Sequence, residues 1–146
     1  MVSLNIPDSS RVYVDTSIII YTVEKFPKYV NLLTPLWTKL IDSKIEVITS
    51  ELTLLEVLVQ PMKKADDFFI NVYEQLLESS EIQLIPINKS MLKKAANLRA
   101  KTSLKTPDSI HAATFFLTNC DLFLTNDLIF RNIPELTGII LGDLIS

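Results

Sequence analysis

Short runs of β-branched and aromatic residues alternate with longer runs of helical periodicity along this chain, and that alternation constrains the fold more than any other feature. "RVYVD" at 11–15 reads as a strand, and "TSIIIYTVEK" as a helix opening at Thr16 or Ser17. A helical stretch over 29–42 precedes the strand "IEVITS" and then the helix "ELTLLEVLVQP", which Ser50 caps and Pro61 ends or bends. "DDFFINVYEQLLESS" is helical with acids in its first turn, and "EIQLIPI" alternates as a strand. "NKSMLKKAANLRAKTS" and "PDSIHAATFFLTN" are further helices, the second opened by Thr106 as N-cap and Pro107 at N1. "DLFLT" and "GIILG" complete the strands. Helices inserted between successive strands predict an α/β sandwich with a mostly parallel central sheet.

A length of 146 residues suits one domain spanning 1–146, with a core large enough to need no disulfide or structural metal. The apolar fraction of 48% argues against disorder, and scattered charges break every apolar run before it reaches bilayer length, so no membrane association is expected. "MVSLNIPDSS" lacks the form of a secretory signal and Cys120 has no intramolecular partner, so the expected setting is cytoplasmic. Only two Gly occur, which excludes a Gly-rich phosphate loop. A net charge of −3 weakens broad non-specific nucleic-acid binding, yet a nuclease can hold phosphates through a divalent ion and a local basic patch.

The acids then become informative. In open α/β sheets, sites form outside the carboxyl ends of the strands. Asp15 ends the first strand, Asp127 follows "DLFLT", and Asp108 opens the helix leading into that strand. Glu56 lies in a helix apolar nearly all round, where Thr53, Glu56 and Gln60 form the only polar stripe. Singly, these acids have ordinary readings as turn residues, helix-dipole partners or a narrow solvent stripe. Converging on one cleft, they would repel each other unless a cation neutralised them, and oxygen-only ligation suits Mg²⁺ or Mn²⁺.

"VDTS" after a first strand, "ELTLLEV" on a helix, "LKTPDSIHAA" and "LFLTND" resemble, in order and spacing, the four acidic motifs of PIN-domain ribonucleases. The similarity is nearest to the single-domain toxins of VapBC-type toxin-antitoxin pairs. It implies a PIN-like three-layer α/β/α sandwich and endonucleolytic RNA cleavage by metal-activated water. The implied acidic tetrad is Asp15, Glu56, Asp108 and Asp127 as catalytic and metal-ligating residues, with Asp15 and Asp108 foremost as ligands; Thr16, Ser17 and Thr125 would support them. An antitoxin protein is the implied partner. An alternative is a PIN-like module that no longer cuts and acts through protein or RNA partners. A phospho-acceptor receiver domain would want paired acids after the first strand, where only Asp15 stands.

His111 could reach substrate or support a carboxylate, and its ordinary reading is a packing or hydrogen-bonding residue. Asp66 and Asp67 read as helix caps and Asp121 as a turn residue. Candidate phosphate contacts are Lys63 with Lys64, Lys93 with Lys94, and Lys101 with Lys105, of which Lys105 lies nearest a tetrad acid. Trp37, Phe26 and Tyr29 could stack bases but at helical spacing read as core or interface residues. The apolar stretches "IIIY" and "LLTPLW" suggest a homodimer face or an antitoxin groove.

Overall fold

The structure, a computed structural model, describes residues 3–145. Strands β1 (Arg11–Val14), β2 (Glu46–Ser50), β3 (Ile82–Ile85), β4 (Leu122–Thr125) and β5 (Gly138–Ile140) form one sheet in the order β3-β2-β1-β4-β5. Every neighbouring pair is parallel. The helices between them are α1 (Thr16–Val23), α2 (Thr34–Ile41), α3 (Glu51–Lys63), α4 (Asp67–Leu77), α5 (Lys89–Lys101) and α6 (Thr106–Leu117), with short 3-10 turns at Val30–Leu33, Leu128–Phe130 and Leu141–Leu144.

Side chains alternate across a strand, so each strand feeds two cores. Val12, Val14, Val47 and Leu124 face a core completed by Ile18 and Ile19 of α1, Leu36 of α2, Val57 of α3 and Tyr73 of α4. Tyr13, Ile48 and Phe123 face the opposite core, closed by Ala95 and Leu98 of α5 and Ile110 and Phe115 of α6. Tyr13 and Phe123 are register partners across β1 and β4, and their rings stack at 5.0 Å between centroids. The result is the three-layer sandwich expected from the sequence.

The strand order matters for function. From β1 the chain builds outward through β2 and β3, then returns to the other side of β1 with β4 and β5. The crevice outside the carboxyl ends of β1 and β4 is therefore the switch point, where ligands of open α/β sheets bind.

Details differ from the sequence reading. The N-cap of α6 is Lys105, and Thr106 is its first helical residue, with Thr106 Oγ1 accepting from Arg99 Nη1 at 2.9 Å. Asp108 consequently sits in the first turn, near the positive end of the helix. Of the two readings of Pro61, ending or bending α3, the first does not hold, since the helix runs on to Lys63 with Pro61 buried inside it. The apolar runs suspected of forming an open face mostly complete the core: Ile18, Ile19, Leu33 and Leu36 are fully buried. The exposed apolar stripe lies instead on α3, where Leu55, Val59 and Met62 face outward while Thr53 is buried. Thr53 is tolerated there because its hydroxyl pairs with that of Thr49 at 2.8 Å. Ser50 caps α3 through Leu52 N–H and Asp66 caps α4 through Phe69 N–H, as expected, and Asp121 accepts the Arg11 N–H at 2.7 Å. Among the described residues no helix is long and apolar enough to cross a membrane.

Candidate active site

β1 ends at Val14, so Asp15 emerges at the switch point, its N–H donating to the carbonyl of Leu124 on β4. Its carboxylate is buried at 6% exposure. Ser17 Oγ donates to Oδ1 at 2.6 Å, and Thr125 Oγ1 donates to Oδ2. Burial pushes Asp15 above its ordinary range, prevailing over the nearby His111 ring and those two bonds, which favour the ionised carboxylate. Thr125 also accepts the N–H of Asp127 at 3.0 Å. One hydroxyl at the end of β4 thus ties both strand-end acids together. Asp127 in turn accepts Ile129 N–H at 3.0 Å, capping the turn Leu128–Phe130.

Glu56 reaches the same place from α3. Its Oε1 accepts from Thr16 Oγ1 at 2.7 Å and pairs with His111 Nε2 at 2.8 Å. Burial alone would raise its pKa, but these hydrogen bonds outweigh it and hold Glu56 below its ordinary value. On its other side His111 Nδ1 meets the Tyr13 hydroxyl at 2.6 Å. Tyr13 lies in the core, where burial lifts the phenol far above its usual range, so it keeps its proton and donates. In the neutral ring Nδ1 must then accept, and the ring proton sits on Nε2, facing Glu56.

Asp108 completes the cleft. Burial first, and then the negative charges of Asp127, Glu56 and Asp15, raise its pKa against the opposing effect of His111. The acids thus face one another across a shared cavity of about 550 Å³, lined by Asp15, Glu56, Asp108 and Asp127 together with Thr16, Ser17 and His111. All four candidate acids of the sequence reading come together here, with Thr16 and Ser17 on the wall and Thr125 just behind Asp15. Lys105 is exposed at the start of α6 and is not among the lining residues.

Sequence reasoning missed Tyr21 and Asn126, both of which line the cavity. Asn126 Nδ2 donates to the Tyr21 hydroxyl at 3.1 Å, while its Oδ1 accepts Gly142 N–H at 2.8 Å, pinning the C-terminal turn to the site. The available signal was position: Asn126 stands between Thr125 and Asp127.

The donor set is carboxylate and hydroxyl oxygen, the chemistry of hard divalent ions. Among the described residues no group of three or more His, Cys, Asp or Glu side chains is arranged to hold a metal ion. Both oxygens of Asp15 and one of Glu56 accept hydrogen bonds from neighbouring hydroxyls. Mg²⁺ commonly takes only one or two carboxylates and keeps its waters, so the cleft fits such an ion.

A family model described as PIN domain matches residues 12–136. Among solved structures, a toxin-antitoxin complex from Klebsiella pneumoniae superposes with a TM-score of 0.70 at 22% identity, covering 89% of this chain and 97% of that one. The VapBC complex of Rickettsia felis bound to a promoter DNA fragment gives 0.66 at 17% identity, covering 89% and 98%. A sarcin-ricin-loop-cleaving toxin of Mycobacterium tuberculosis gives 0.63 at 15% identity, covering 77% and 86%. No curated protein matches in sequence.

Proposed function

The chain belongs to the PIN domain family, and from that premise we propose that it is a metal-dependent endoribonuclease, the toxin of a toxin-antitoxin pair. The observation that carries this reading is the convergence of Asp15, Glu56, Asp108 and Asp127 on one cavity at the switch point, where a divalent cation would relieve their mutual repulsion. Asp15 and Asp108 would hold Mg²⁺ or Mn²⁺, with Glu56 and Asp127 contributing. When bound, such an ion lowers the pKa of water and stabilises charge on phosphoryl oxygens. The chain's own residues prepare the site. Ser17 and Thr125 fix both oxygens of Asp15, and Thr16 with His111 fixes Glu56 in its ionised form. Asp127 commits one oxygen to its own turn and lines the cleft, where it would take part in holding the ion or its water.

Partners follow from the same reading. RNA is the proposed substrate, and the solved toxin-antitoxin complexes support a cognate antitoxin. A homodimer through α3 is proposed from the outward Leu55, Val59 and Met62; an antiparallel pairing would set Glu51 at one end of the stripe against Lys63 of the second copy. Light scattering tests it, since Val59→Glu should yield a monomer if that face is the contact, and an unchanged mass would reject it.

RNA cleavage in Mg²⁺ or Mn²⁺ by the wild type, Asp15→Asn and Asp108→Asn tests the nuclease, and equal cleavage by all three rejects it. The alternative reading is a PIN-like binding module that no longer cuts. Calorimetry that detects no divalent binding at millimolar concentration would select it.

A further inference from the structure

The loop "EKFPKY", Glu24 to Tyr29, interleaves aromatic rings with lysines and packs its rings against Tyr21, which lines the acid cleft. Resting on the nuclease reading, we propose that Phe26 and Tyr21 form a stacking platform for a base of single-stranded RNA, with Lys25 and Lys28 meeting the flanking phosphates.

Tyr21 belongs to both places. It lines the acid cavity, and its ring lies 5.0 Å from Phe26 and 4.6 Å from Tyr29 between centroids. The platform is therefore continuous with the site where a phosphodiester would be cut. Phe26 is 40% exposed, although a ring this large normally finds cover in a core with this much apolar surface.

The loop is held in advance of any ligand. Lys25 takes a left-handed conformation, φ 52, directly after the C-cap Glu24, and Phe26 N–H reaches back to the Tyr21 carbonyl at 3.1 Å. That is a Schellman ending of α1, in which the residue after the left-handed one packs on the helix's last turn. The Phe26 carbonyl then accepts the N–H groups of both Tyr29 and Val30, at 3.0 and 2.8 Å. The Phe26 ring is thus held at a 47° tilt against Tyr21 while the residue keeps its exposed surface. Pre-ordering of this kind spares a base the cost of organising its own stacking surface.

Charge selects RNA over protein as the occupant. Lys25 and Lys28 are exposed, and Lys28 Nζ sits 5.6 Å from the centre of the Tyr29 ring. The nearby Glu24 carboxylate is turned away to the Tyr73 hydroxyl on α4. In a chain of net charge −3, two exposed lysines flanking an exposed aromatic ring in sequence, on a loop whose Tyr21 contact lines the cleft, make a local basic patch with a base-stacking surface. Single-stranded RNA, whose unpaired bases lie open for stacking, is the ligand class that fits.

The test measures binding of a short fluorescent single-stranded RNA to the whole chain with divalent ions chelated, so that no cleavage intervenes. Phe26→Ala should weaken binding about five- to hundredfold, and Phe26→Trp should restore it. An RNA carrying an abasic position at the stacked nucleotide should bind parent and Phe26→Ala alike. Lys25→Ala with Lys28→Ala should flatten the salt dependence by a slope of about 0.7 for each phosphate that a lysine no longer neutralises. Phe68→Ala, an exposed ring on α4, is the control. Absence of RNA binding by the parent overturns the proposal. So does an unchanged affinity in Phe26→Ala, whether or not that variant loses a protein partner. Phe26-dependent binding without cleavage in Mg²⁺ or Mn²⁺ would uphold the platform while removing the nuclease reading.

Discussion

Glu56 and His111, separated by 55 positions in the chain, share a 2.8 Å hydrogen bond between Oε1 and Nε2, and the far nitrogen of the same ring is held by Tyr13 at 2.6 Å. One ring thereby joins a core phenol to a cleft carboxylate, and its bond helps hold Glu56 below its ordinary pKa.

His111→Ala should therefore act on two levels. It orphans the buried Tyr13 hydroxyl and leaves Glu56 with Thr16 alone, at a cost of about 1–3 kcal/mol in urea unfolding. Adding Tyr13→Phe should recover part of that loss, because the orphan disappears. A strictly additive double mutant would contradict the hydrogen-bonded chain from Tyr13 through His111 to Glu56.

Thr125→Val keeps the shape of the side chain and removes the hydroxyl that links Asp15 and Asp127. RNA cleavage should fall about 10–100-fold, the usual effect of losing a group that orients a ligand, with a higher Mn²⁺ concentration needed for half-maximal rate. Cleavage and metal dependence identical to wild type would show that this bond does not organise the site.

Asp108→Asn removes one negative charge from a crowded cleft. Cleavage should drop by about 10²-fold or more, while the metal-free protein should melt at a higher temperature than wild type, since Asp127, Glu56 and Asp15 no longer repel that side chain. Calorimetry without divalent ions reads the second effect, and a lower melting temperature would contradict the electrostatic account.

The pH dependence has a definite sign. Asp15 and Asp108 have raised pKa values in the fold, so the stability they lend in protonated form is present below their ordinary 3.8 and is lost as pH rises through the raised values. Glu56 is lowered and acts oppositely, its contribution present above 4.5 and lost as pH falls through its folded pKa. On the proposed reading a divalent ion would bind the acids in ionised form, so Mn²⁺ should raise the melting temperature more at a pH of about 7.5 than at about 5. An equal shift at both values would remove the carboxylates from the binding event.

α3 ends in a residue poorly suited to its backbone. Ala65 has φ 51, with its N–H on the Met62 carbonyl and Asp66 N–H on that of Pro61. Ala65→Gly should stabilise the fold by about 1 kcal/mol in urea unfolding, because Gly adopts this conformation without a Cβ penalty. A loss of stability would show that the strain is relieved elsewhere.

Much of this architecture could be read in advance. The strand RVYV and its fellows were visible because both faces of a parallel sheet are buried, so β-branched and aromatic residues run unbroken. Helix starts at Ser50 and Asp66 were visible because a capping oxygen is local chemistry; the start of α6 was misplaced by one position and that of α2, read from 29, lies at Thr34, and neither of these has a side-chain cap. The outward stripe of α3 was not readable. Whether Thr53 or Leu55 faces water depends on what packs against the helix, and that is absent from the helix's own sequence.

The sequence by itself determined the order of elements and the kind of chemistry available, since period, caps and residue type act over a few neighbouring positions. Only the tertiary structure decided that β4 returns beside β1 and not beyond β3, and with it that Asp15, Asp127, Glu56 and Asp108 share a cleft that His111 braces and Tyr21 opens toward Phe26. Strand order is settled by which faces bury together across long stretches of chain, and no local pattern encodes that choice.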